Sequence, residues 1–259
     1  MDAIEKLEEY CLLDDVFFSA CFRHNEAAVN LMLRILLERP DFKVEKFELQ
    51  HEIQSLFSHS IRMDVIASDA KGTKFNVEIQ NAKSEASPKR VRYYQGIIDI
   101  DSLPKGANYK NLPETYIIFV LENDPYGAGL PLYHIDSSIR ELGLKYEPEA
   151  HIIFANAAYK EDKRQSNEMS EIAKLMSDMR ETNPNKMYFS EFSERAKYYK
   201  FDEGGKAEMN GAMEALKEEA REQSVLEVLK NLGVTLTAKG FGMSVDAVIE
   251  IAKRNGIAV

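Results

Sequence analysis

The 259-residue chain is 44% hydrophobic and 29% charged, a globular composition with length enough for one large domain or one plus a small appendage. No run approaches the ~20 apolar residues of a membrane span, and the acidic start Met1-Asp-Ala-Ile-Glu-Lys-Leu-Glu-Glu9 lacks a signal-peptide layout, so a cytoplasmic protein without a membrane partner is expected. A net charge of −10 argues against a broad nucleic-acid-binding surface, and two cysteines and five scattered histidines suggest neither a disulfide framework nor a zinc site.

Helices are predicted over 14–23 and 25–39, the second through Ala27, Leu31, Leu33, Ile35 and Leu37, ending before Pro40. Residues 43–54, with Val44, Phe47, Leu49 and Ile53, read as a first strand. Residues 61–68 alternate strictly, Ile61, Met63, Val65 and Ala67 on one face and Arg62, Asp64, Ile66 and Ser68 on the other. The next run, 74–81, puts Phe75, Val77 and Ile79 opposite Asn76, Glu78 and Gln80. Between them, Asp69-Ala-Lys-Gly72 has the makings of a hairpin turn whose glycine takes the left-handed position. Ser87 caps and Pro88 opens a helix over 88–103, which ends before an irregular turn at Pro104-Lys-Gly106.

Thr115–Leu121 is almost continuously apolar, hence a central strand covered on both faces. A Gly- and Pro-rich loop over 124–131 leads to a short strand at Leu132–Ile135, and another strand falls at His151–Ala155. Asn167–Arg180 reads as a helix packing through Met169, Ile172, Leu175 and Met176. A long helix over Lys206–Lys230 follows Gly204-Gly205 without a strict heptad, and residues 225–256 have the faint outline of a helix-turn-helix that is not especially basic. Helices, a hairpin, a helix and then strands describe a mixed sheet sandwiched by helices.

Centring the hairpin on Lys71 sets Asp64 opposite Glu78 and Arg62 opposite Gln80. Like charges directly across a sheet sit ~5 Å apart and destabilise it. The pair reads either as the wet face of an antiparallel sheet or as ligands for a divalent cation, since Mg2+ favours one or two carboxylates completed by water.

Asp, a hairpin and then Glu-x-Gln resembles the PD-(D/E)XK phosphodiesterase core, in the variant found in the recombination-promoting nuclease and transposase family. Asp14-Asp15-Val-Phe-Phe-Ser-Ala-Cys-Phe22 is similar to that family's opening helix, and Ser87-Pro-Lys-Arg-Val-Arg-Tyr-Tyr94 to its arginine and tyrosine helix. Leu112-Pro-Glu-Thr-Tyr-Ile-Ile-Phe-Val120 and Gly129-Leu-Pro-Leu-Tyr-His134 are similar as well. The resemblance implies an α/β fold: a restriction-endonuclease-like core over 1–205, its central mixed β-sheet flanked by α-helices, with a helical C-terminal extension over 206–259. It implies a DNA endonuclease using Mg2+ or Mn2+, with Asp64, Glu78 and Gln80 catalytic and Asp64, Glu78 and Asp15 holding the metal. A helix-start cap is the alternative role for Asp15.

Lys83, Lys89, Arg90, Arg92 and Tyr94 are the expected DNA contacts, a local basic patch facing a solvated-helix alternative. The third motif position is usually Lys. Here Gln80 can donate and accept hydrogen bonds but carries no charge, so Arg62 or Lys83 is the candidate replacement. The C-terminal helices are a candidate surface for homo-oligomer formation. The competing function is a weakly active or inactive DNA-binding or assembly module of a mobile element.

Overall fold

Alternating apolar and polar residues build the hairpin at the centre of the chain. The computed structural model describes residues 7–53, 61–81, 87–161 and 168–257. Strand β2, Ile61–Ser68, turns into β3, Lys74–Gln80, with Val65 opposite Val77 and Ser68 opposite Lys74, the register expected from a turn centred on Lys71. Gly72 takes φ 82°, and its N–H donates to the Asp69 carbonyl at 3.0 Å. Asp69 Oδ1 also accepts from the N–H groups of Lys71 and Thr73, so the aspartate closes its own turn.

Six strands form one mixed sheet in the order β1, β2, β3, β4, β8, β5. β1 (Lys46–Ile53) pairs antiparallel with β2, which pairs antiparallel with β3. β3, β4 (Thr115–Leu121) and β8 (Ala150–Asn156) run parallel, and β5 (Leu132–Ile135) closes the edge antiparallel to β8. A two-stranded hairpin of β6 (Ser137–Ile139) and β7 (Leu144–Tyr146), which the sequence did not announce, lies between β5 and β8 and is exposed throughout.

A parallel step needs a crossover, here helix α3, Pro88–Ser102. Its cap is as expected: Ser87 Oγ accepts from the Arg90 N–H and Pro88 fills the first turn. Val91, Tyr94, Ile97 and Ile98 then pack onto Ile117, Phe119 and Leu121 of β4. Helices α1 (Asp15–Phe22), α2 (Glu26–Leu36) and α5 (Ser190–Phe201) pack together; Phe18 stacks on Phe22 within α1 at 4.1 Å between ring centroids, and Phe22 meets Phe192 of α5 at 5.5 Å. Each such ring is worth roughly 1.5–3 kcal/mol when fully buried.

Helix α4 spans Glu171–Arg180, starting later than the expected Asn167 because Ser170 caps it at the Ala173 N–H; Asn167 itself lies outside the described residues. The Asp178 carboxylate of α4 accepts from the N–H groups of Tyr188 and Phe189, pinning the approach to α5. Helix α6, Glu203–Phe241, starts before Gly204-Gly205 and includes them, three residues earlier than the expected Lys206.

The chain divides into two compact units, 1–206 and 207–259. The second has its own small core, Val225, Leu226 and Leu229 with Ala238, Val248, Ile251 and Ala252. Gly233 at φ 73° interrupts α6, and Ser244 caps α7, Val245–Arg254. Among the described residues no helix is long and apolar enough to cross a membrane.

Candidate active site

The polar face of β3 is buried rather than wet. Asn76, Glu78 and Gln80 are 0%, 1% and 6% exposed, because β4 pairs beside them and α3 lies over that face. Asp64 is partly buried on the neighbouring strand. Backbone pairing lapses on both sides of it. Ladder pairs between β2 and β3 end at Val65 and Val77, and between β1 and β2 the Gln50 position is skipped. In place of a ladder bond, the Ile79 N–H donates to Asp64 Oδ2 at 2.7 Å, and the Asp64 N–H approaches Glu78 Oε1 at 3.4 Å. The two expected acids are therefore together.

Burial is the main cause of their electrostatics. It pushes the Asp64 carboxyl up to about 7, with Asp15 adding to the rise against the Ile79 N–H and two arginines. It pushes Glu78 up to about 8, with the Asp64 charge next in importance. The pair titrates as a unit. Such a donor set suits a hard divalent ion: two buried carboxylates, beside an Asn76 amide that lowers the Glu78 carboxyl somewhat yet makes no well-formed hydrogen bond at either atom among the described residues.

Asp15 is close enough to raise the Asp64 carboxyl, but its own contacts are with Gln50 and Arg62. Gln50 Nε2 donates to Asp15 Oδ1 at 2.8 Å and to Ser19 Oγ at 2.9 Å, while Arg62 Nη2 lies 3.9 Å from Asp15 Oδ2. Among the described residues no three acidic, histidine or cysteine side chains converge as a metal cluster. Asp15 is not the helix cap either: Asp14 holds that position, and its carboxylate binds the Cys11 N–H instead. Gln50 is a residue that sequence reasoning missed. It adopts φ 54° opposite Asp64, a left-handed backbone uncommon outside glycine.

The basic patch divides by helical phase. Lys89 and Arg92 are exposed, whereas Arg90, one residue after the first and two before the second, turns toward the sheet. Arg90 Nη1 donates to Gln80 Oε1 at 2.6 Å, Nη2 donates to the Tyr94 hydroxyl at 3.1 Å, and Nη2 lies 3.7 Å from Glu78 Oε2. Its guanidinium carbon sits 5.3 Å from the Tyr94 ring centre and 5.7 Å from that of Phe119. Tyr94 is 6% exposed and packs edge-on to Phe119, so it supports Arg90 instead of presenting a face to DNA. Arg62 does not meet Gln80 as expected; it faces Asp15 and is paired in register with Glu52. Lys83 lies outside the described residues. The signal for Arg90 was present as its four-residue spacing from Tyr94 within a helix whose inward side carries Val91, Ile97 and Ile98.

Two acids meeting where the strands of a mixed sheet part, beneath a crossover helix, define a restriction-endonuclease-like fold of the PD-(D/E)XK kind. A family model described as PD-(D/E)XK nuclease family transposase matches residues 17–223. The chain belongs to that family, whose function is of the nuclease or transposase type. No curated protein and no solved structure matches the chain at a significant level.

Proposed function

We propose that the protein is a divalent-metal-dependent DNA endonuclease. Asp64 and Glu78 would hold Mg2+ or Mn2+, which when bound acidifies water and offsets charge on phosphate. Glu78 carries the reading: a carboxyl 1% exposed, beside a second acid, is costly to keep unless a cation uses it. Gln80 supplies an amide on the same face. Lys89 and Arg92 offer exposed charge to the DNA backbone. Asp15, held by Gln50, adds an acid at the edge of the pair. Both acids and Gln80 being present together favours cleavage over an inactive binding module. Self-association through the C-terminal helices belongs to the same reading, supported by exposed Leu232, Leu236 and Val245.

Nicking of closed circular DNA, which has no ends for an exonuclease, tests it. The wild type should nick with Mg2+ or Mn2+ and not with EDTA, and Asp64→Asn or Glu78→Gln should lower the rate by about a hundredfold or more. Nicking that survives either substitution would place the chemistry elsewhere.

A further inference from the structure

We infer that Arg90 and Gln80 together replace the single lysine usual at the third motif position: Arg90 brings the positive charge and turns the Gln80 amide so that its NH2 group faces the reacting phosphate. This rests on the nuclease reading and assigns the site's missing cation.

Donor and acceptor chemistry fixes the orientation. A guanidinium has only N–H donors, so the Gln80 atom 2.6 Å from Arg90 Nη1 must be the amide oxygen. Its Nε2 then points away from Arg90 and meets no acceptor among the described residues. One lone pair of the Gln80 oxygen is thus taken by the guanidinium, and the NH2 group is the end of the amide turned away from Arg90. It can donate, as lysine would, to a phosphate oxygen.

The charge comes from Arg90, which is held on three sides. Its Nη2 donates to the Tyr94 hydroxyl, its guanidinium carbon is within about 6 Å of the Tyr94 and Phe119 ring centres, and Glu78 lies 3.7 Å away. The Ser87 cap places Arg90 in the first turn of α3, fixing its reach to the end of β3. An arginine on a mobile surface clamp would lack these contacts. With its side chain only 31% exposed, Arg90 is a positioning residue that acts through Gln80 and beside Glu78.

The geometry predicts a reversal between two substitutions. Arg90→Met should lower kcat for closed circular DNA by about a hundredfold with KM within about threefold, the loss expected when an aligned electrostatic group is removed. Gln80→Lys alone should also be slow, because it sets a second cation against Arg90. Arg90→Met with Gln80→Lys should recover at least about tenfold over Arg90→Met, since one lysine then serves both roles. Arg90→Lys, which keeps charge but not the fork that binds Gln80 and Tyr94 together, should fall between, and it decides the matter if Arg90→Met fails to fold.

Mn2+ binding to the DNA-free protein gives a second readout that needs no turnover. Arg90→Met should bind Mn2+ about threefold or more tightly, as a cation 3.7 Å from Glu78 is gone, while Arg140→Met, on the exposed hairpin, should not. A rise in KM at constant kcat would make Arg90 a phosphate clamp, and a double variant no faster than Arg90→Met would make it a structural pillar; either overturns the inference. If the wild type itself fails to nick, the nuclease reading falls, and unchanged Mn2+ affinity in Arg90→Met then removes Arg90 from the acid pair as well.

Discussion

Asp64 and Glu78 link the chemistry of the site to the stability of the chain. In the unfolded chain their carboxyls ionise near ~4; folded, burial raises them to about 7 and about 8. Between those limits the folded, metal-free protein holds more protons than the unfolded one, so its stability falls as pH rises. The contribution is intact below pH ~4 and lost above pH ~8. Asp178, also raised by burial, to about 6, adds to the trend, so the comparison that isolates the pair is with Glu78→Gln. In EDTA, wild type should lose about 2 kcal/mol more than Glu78→Gln between pH 5 and 8.5, or ~5 °C in melting temperature. Parallel melting profiles for the two proteins would mean that the acids are solvated and the site is open.

At the scale of elements, glycine decides how α6 begins. A Cβ at Gly205 would lie 2.2 Å from the Tyr198 carbonyl oxygen and 2.6 Å from its carbon, a backbone clash that no rotamer relieves. At Gly211, in the same helix, it would meet nothing within 4 Å. Alanine is ordinarily favoured over glycine in a helix by about 1 kcal/mol, so Gly211→Ala should stabilise by up to that amount. Gly205→Ala should instead destabilise by about 2 kcal/mol or more. Urea unfolding of both would show opposite signs; a stabilising Gly205→Ala would mean that α5 and α6 do not approach so closely. The sequence started the helix after Gly204-Gly205, since a chain pattern cannot tell a glycine that precedes a helix from one that lets two helices touch. Local signals served well elsewhere. Alternation and Gly72 gave the β2–β3 register, and Ser87-Pro88 gave the start of α3. What remained hidden depended on distant partners: the burial of Glu78 follows from β4 and α3 covering β3, and the inward turn of Arg90 follows from that same crossover. Gln50's left-handed backbone has no signature in its neighbours at all.

Over the whole molecule, a net charge of −10 has to be reconciled with a polyanionic substrate. Acids outnumber bases eight to four between Asp202 and Lys230, whereas the basic residues of α3 sit immediately after the acid pair. Arg90 is committed inward, which leaves Lys89 and Arg92 as the exposed cations of that helix. With so few phosphate contacts, DNA binding should weaken only gently with salt, a log–log slope of about −2 to −3 where an extensive basic interface gives far steeper values. Lys89→Ala and Arg92→Ala should each flatten the slope by about 1 and weaken binding alike for all sequences. Arg90→Met should leave the slope nearly unchanged, because its charge is engaged with Glu78 and Gln80. Fluorescence anisotropy on a labelled duplex, with Ca2+ in place of Mg2+ to hold the DNA uncut, reads all three. A wild-type slope near −6, or one that Arg90→Met flattens as much as Arg92→Ala does, would show that the DNA path runs over a different surface and that the inward geometry of Arg90 is not the one that meets DNA.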